Sequence, residues 1–163
     1  RMRISAAYRG FAALLLRQGC RDFITGKPAD IGTFHNDPMD VHHIFPRAWC
    51  EGQGTKPGAY DSIVNKTPLT AGSNRAIGGR APSDYLARIE AQHGLTPAQM
   101  DDILRSHLIE PGFLRADDFE GFIADRRARL ADLAARAMGT ALAAAAPPAE
   151  PEGEAEAGME DAA

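Results

Sequence analysis

"DVHHIFP", residues 40 to 46, and "IVNKTPLTAGSNR", residues 63 to 75, decide how this chain is read. The first is a short apolar stretch with the look of a β-strand, yet it sets two of the chain's five histidines side by side. Successive strand residues point to opposite faces, so His42 and His43 meet different surroundings and cannot do the same job. Neutral imidazole is a common metal ligand and also the side chain best suited to accept a proton near neutral pH. One ring can therefore hold a cation while the other acts as a base. The second stretch carries Asn65, a brief β-forming run, a turn, and Asn74 on a helical start.

Around these stretches, from Gly26 to Gly79, Gly, Pro, Asn and Asp are frequent and no helical period lasts more than a turn or two. The pattern predicts two strands, Val41 to Phe45 and Lys66 to Leu69, separated by a loop containing "EGQGTKPGAYDS". Pro68 has no N–H for a ladder, which keeps the second strand at an edge or ends it early.

Helices are predicted on both sides. Ile4, Tyr8, Phe11, Ala12 and Leu15 recur near a 3.6 spacing, and Gly19 offers a stop, giving an amphipathic helix over 4 to 18. Pro82 suits the first turn of a helix through "SDYLARIEAQHG". Thr96, Pro97 and Gln99 form a capping box with proline just inside the start. Asp117 and Glu120 repeat that logic ahead of Phe119, Phe122, Ile123, Leu130 and Leu133, a long amphipathic helix ending before Gly139. Three helices are thus expected after Arg80. The Ala/Pro/Glu-rich segment 140 to 163 holds almost nothing large enough to bury and is predicted to be disordered.

Charge is unevenly spread. Of the 22 acidic and 18 basic residues, six acids and no bases fall in 141 to 163, so the body carries a net charge of +2 despite the chain's −4. Its cations are mostly arginine, which suits bidentate contact with phosphate and permits a nucleic-acid partner without demanding one. Cys20 and Cys50 stand alone, which favours neither a disulfide framework nor a Cys-x-x-Cys zinc site and fits a reduced compartment. The longest apolar run, "GFAALLL", is too short to cross a bilayer, so a soluble cytoplasmic protein with no membrane partner is expected. The first residue, Arg1, is not an initiator methionine, which suggests the end of a longer polypeptide.

The order His-His-Ile-x-Pro, loop, Asn, short strand, turn, Asn resembles the HNH nuclease motif, whose fold is the ββα-metal (His-Me) finger. The resemblance implies an α+β fold, a mainly helical domain around a small HNH core. It would place an N-terminal helix in 1 to 25, the finger in 26 to 80, a helical subdomain in 81 to 139 and the tail beyond. It also implies roles: His43 as the general base that activates water, His42 and Asn74 as ligands of one divalent metal, Mg2+ with Mn2+ as the alternative, and Asn65 as the tether that holds the loop and helps orient the base. Asp40 lies two residues before His42 and could support it or approach the metal through water. Arg75 and Lys66 are candidates for phosphate contact, with Arg47 and Arg80 behind them. His35, in "GTFHNDP", is a loop histidine, His93 suits a helix C-terminus, and His107 is assigned to a helical face.

Two longer phrases, "YRGFAALLLRQGCRDFITG" (8 to 26) and "YDSIVNKTPLTAGSNRAIGGRAPSDYLARIE" (60 to 90), look like one HNH lineage, the C-terminal nuclease portion of GmrSD-type modification-dependent restriction enzymes. That likeness, over roughly residues 8 to 139, implies a phage-defence endonuclease acting on DNA, with an NTP-using ParB-like domain whose signature this chain lacks. A non-catalytic nucleic-acid-binding or assembly module on the same scaffold is the competing reading, and RNA cleavage by the same chemistry a third.

Overall fold

The computed structural model describes residues 6 to 29 and 40 to 139. The predicted tail and His35 lie outside the described residues, as does the start of the predicted first helix.

The chain is mostly helical, with a two-stranded antiparallel sheet, and so belongs to the α+β class. Helix α1 (Ala6–Arg17) leads through a bridge pairing Arg21 with Pro28 to strand β1 (Asp40–His43). A connection carrying α2 (Arg47–Gly52), α3 (Pro57–Tyr60) and a 3-10 turn (Ile63–Asn65) returns the chain to β2 (Lys66–Leu69). Helices α4 (Ala71–Ile77), α5 (Pro82–His93), α6 (Pro97–Ser106), α7 (Pro111–Arg115) and α8 (Phe119–Ala137) follow.

Several boundaries follow from local chemistry. α1 stops where Gly19 takes a φ of +79°, and α5 where Gly94 takes +66°, conformations that suit glycine. Thr96 accepts from the Gln99 N–H and the Gln99 side chain accepts from the Thr96 N–H, closing the expected capping box of α6. The long final helix departs from expectation at its start. Its cap is Asp118, which accepts from the Gly121 N–H; Asp117 instead adopts a φ of +53° and accepts from the Ser83 N–H and Oγ. Among the described residues four helices follow Arg80, not three, because Pro111–Arg115 forms a separate turn of helix. The segment 47 to 60, expected as loop, contains two short helices.

The ladder pairs Asp40 with Leu69, Val41 with Pro68, His42 with Thr67 and His43 with Lys66. Among the described residues the sheet has two strands, so each is an edge, which accommodates Pro68. α1 packs on α8 and β2, α4 on β1, and α8 against the 3-10 turn. The main core joins Phe23, Ile44, Phe45, Leu69, Leu86, Ile89, Leu104 and Phe122 across these layers, and a second cluster holds Leu15, Cys20, Val64, Leu130 and Leu133. At the far end Arg115 of α7 binds Glu90 of α5 at 2.7 Å and Asp101 of α6 at 2.6 Å, tying three helices together. Among the described residues no helix is long and apolar enough to cross a membrane.

Candidate functional site

The ladder register gives the two histidines different surroundings. His42 is buried, 6% exposed, opposite Thr67; His43, one residue on, is half-buried opposite Lys66. Beyond the doublet the chain is pinned hard. The Ile44 N–H donates to the Asn65 carbonyl at 2.9 Å, and the Tyr85 hydroxyl donates to the Ile44 carbonyl at 3.0 Å.

Asn65 has no solvent exposure. Its Oδ1 accepts from the Phe45 N–H at 2.8 Å, and Nδ2 donates to the Phe45 carbonyl and the Tyr60 carbonyl, each at 2.9 Å. Both amide hydrogens and the oxygen are thus used, and the carboxamide joins the exit of β1 to the end of α3. A buried amide so fully matched is costly to remove: its loss leaves one N–H and two carbonyls without that partner.

His43 Nε2 lies 3.0 Å from Asp61 Oδ1, with the Tyr60 ring edge-on at 6.3 Å between centroids. A carboxylate accepts, so Nε2 carries the hydrogen and Nδ1 of the neutral ring keeps the lone pair. Burial pushes the His43 pKa down and the Asp61 hydrogen bond pushes it up, while Lys66 and Arg47 oppose protonation; the net direction is down. The ring is therefore neutral at physiological pH, the state a base requires.

Asp61 had no assigned role in the sequence. The ladder, which sets Lys66 opposite His43, returns the preceding turn and Asp61 beside that ring. Lys66 Nζ, expected to meet phosphate, lies 3.9 Å from the same carboxylate oxygen. Of the other cations, Arg47 is engaged by Glu51 at 2.8 Å and Arg80 by Asp84 at 3.2 Å, whereas Arg75 is exposed on α4.

Asn74 is half-buried in α4, whose first turn is fixed from outside. Thr70 caps the helix, its Oγ1 accepting from the Ser73 N–H at 3.2 Å. The Asp22 carboxylate, 4% exposed, accepts from Thr70 Oγ1 at 2.8 Å and Ser73 Oγ at 2.7 Å. Its other oxygen accepts from the Ile24 and Thr25 N–H groups. Burial raises the Asp22 pKa, but the donors from Thr25, Ser73, Thr70 and Ile24 outweigh it and hold the carboxyl below its usual value. β1 and α4 pack together, so the strand bearing His42 and the helix bearing Asn74 are neighbours. Asp40 belongs to β1, with its side chain outside the described part. Among the described residues no group of three or more His, Cys, Asp or Glu is placed to hold a metal.

His107 departs from its assignment to a helical face: α6 ends at Ser106 and the ring turns fully inward. Nε2 donates to the Arg21 carbonyl at 2.7 Å, so Nδ1 accepts from Thr67 Oγ1, also at 2.7 Å. Burial pushes its pKa from 6.5 down to about 4. The unfolded chain thus takes up a proton that the folded chain refuses. Stability is complete above about pH 6.5 and is expected to fall by on the order of 3 kcal/mol as pH drops through 6.5 toward 4. Urea midpoints measured across that range check this. His107→Gln should flatten the slope, and an equal slope in that variant would remove His107 as its source.

The chain is similar to an uncharacterized protein of Methanocaldococcus jannaschii, 30% identical over 112 residues, 64% of this chain and 18% of that relative. The chain thus spans less than a fifth of the relative it matches. No protein-family model and no solved structure matches the chain.

Proposed function

We propose that this chain is a metal-dependent HNH-type endonuclease that hydrolyses DNA phosphodiester bonds, the cutting part of a restriction or phage-defence protein. The observation that carries the reading is Asn65. In an HNH finger the middle asparagine must hold the loop to the strand bearing the base, and here a buried carboxamide spans Phe45 and Tyr60, immediately after His43 and just before the ladder resumes. Two antiparallel strands, joined by a connection that carries two short helices and followed directly by α4, are compatible with a ββα finger and support the same reading.

The donor set suits a weakly held divalent cation. His42 offers an imidazole nitrogen and Asn74 an amide oxygen, both neutral, a combination that takes Mn2+ as readily as Mg2+. When bound, such a cation supplies charge neutralisation at the phosphate and at the departing oxygen. The remaining work falls to the chain. His43 Nδ1 takes the proton of the attacking water. Asp61 holds Nε2–H, fixes the ring's tautomer and stabilises the imidazolium that forms. Asn65 keeps β1 from shifting under the ring. Arg75, exposed on the helix that bears Asn74, would meet a neighbouring phosphate.

The test is cleavage of plasmid DNA by the purified chain with Mg2+ or Mn2+, beside matched RNA. Absence of cleavage together with absence of divalent-metal binding by calorimetry would favour a binding or assembly module on this scaffold; preferential RNA cleavage would change the substrate. Within this reading, Asn65→Ala is expected to lose about 2 to 3 kcal/mol of stability and most of the cleavage rate. Chemical unfolding and the same plasmid assay measure the two effects. An Asn65→Ala chain of native stability and full activity would deprive the tether of its role.

A further inference from the structure

We infer that Asp22, which stands before the finger in the chain, is a positioning residue for Asn74, acting through the hydroxyls of Thr70 and Ser73. The inference rests on the metal reading above and adds to it a residue from outside the motif.

Asp22 Oδ2 gathers two hydroxyl donors from the first turn of α4, 48 and 51 residues away in sequence. Thr70 takes part in three hydrogen bonds. Its hydroxyl hydrogen goes to Asp22 while its oxygen receives the Ser73 N–H, and its carbonyl receives the Asn74 N–H at 3.0 Å. Asp22, Thr70 and Ser73 therefore close a ring of hydrogen bonds that ends on the backbone of Asn74. The carboxylate is itself immobile, because Oδ1 is held by the Ile24 and Thr25 N–H groups and by Thr25 Oγ1 at 3.2 Å. A charged acceptor makes stronger bonds than a neutral one, and a carboxylate, unlike a carboxamide, presents both oxygens as acceptors to donors on two sides. The ring thus ties the first turn of α4, the helix that packs on β1, to the turn at residues 22 to 25. A two-ligand site is sensitive to that setting, because a ligand displaced by a fraction of an ångström weakens the metal without unfolding the protein.

Asp22→Asn should keep the fold and shape while giving Thr70 and Ser73 an amide that cannot accept on both sides. Mn2+ titrated calorimetrically into the full chain should bind about 10- to 100-fold more weakly in this variant. In the plasmid assay the Mn2+ concentration at half-maximal rate should rise by the same factor, with the rate recovered at saturating Mn2+. Thr70→Val and Ser73→Ala each remove one donor to Oδ2 and should give smaller rises, while Thr70→Ser, which keeps the hydroxyl, should behave as wild type; these carry the test if Asp22→Asn does not fold. Wild-type Mn2+ affinity in folded Asp22→Asn, or a rate lowered equally at every Mn2+ concentration, would overturn the inference and leave the metal reading standing. A wild-type chain that binds no Mn2+ would overturn the metal reading itself, and the inference with it.

Discussion

On the nuclease reading proposed above, replacing His43 with alanine is expected to lower the DNA-cleavage rate about 100- to 10,000-fold at saturating Mg2+ or Mn2+, with little change in stability. The first part follows from the ring's position and state. It is half-buried, held neutral, and turned by Asp61 so that one nitrogen retains a lone pair. The second follows from what the ring does not do. It makes one hydrogen bond to a carboxylate that is itself 45% exposed, and one edge contact with Tyr60, and it is not among the buried residues of either core cluster. Loss of such a bond costs about 1 kcal/mol. His42→Ala is a useful contrast: it should raise the metal requirement and also destabilise, since that side chain is buried. Single-turnover plasmid nicking, with far-UV circular dichroism on the same samples, separates the cases. Undiminished cleavage by His43→Ala would remove the ring as base, whatever the fate of the fold.

The order of His42, His43, Asn65 and Asn74 was legible because spacing is written in the chain. β2 was legible to the residue, and so was the cap of α6, because Thr96, Pro97 and Gln99 act on each other locally. The helices missed between the strands, six and four residues long, never complete enough turns to establish a period. The cap of α8 was misplaced by one residue because both candidates are aspartates, and only the backbone at Asp117, with its φ of +53°, separates them. What could not be read is the set of ties that hold the site from a distance. Asp61 reaches His43 across 18 residues and Asp22 reaches Ser73 across 51. No local rule pairs residues so far apart; only packing does.

Arg126 shows that one such tie did leave a trace. The apolar stripe of α8 runs through Phe122, Leu130 and Leu133, and Arg126 falls on it, one helical turn from Phe122 and one from Leu130. A cation on a buried face needs partners; it lies over the Phe122 ring, and the hydrogen-bond acceptors around it among the described residues are carbonyls. Nη1 donates to the Val64 carbonyl and to the Lys66 carbonyl at 2.8 Å, and Nε and Nη2 share the His107 carbonyl at 3.4 and 3.3 Å. Burial pushes the guanidinium down to about 9, still charged at neutral pH. The two carbonyls on Nη1 flank Asn65, so Arg126 braces the tether from behind while the carboxamide grips Phe45 in front. Arg126→Ala strips the fork from two buried carbonyls and a part-buried one and leaves a void, and is expected to cost about 3 to 5 kcal/mol, a large share of the roughly 5 to 15 kcal/mol available to a domain. Arg126→Met fills the space and removes a buried charge, so its loss should be about half as large. Arg126→Lys keeps the charge but cannot span three acceptors, and should fall closer to alanine than to methionine. Urea unfolding of the three variants orders them. Methionine as the most damaging substitution would show that the charge itself is favourable in this setting, and a loss below about 1 kcal/mol in Arg126→Ala would mean that the carbonyls find other partners and that Asn65 is held without this brace.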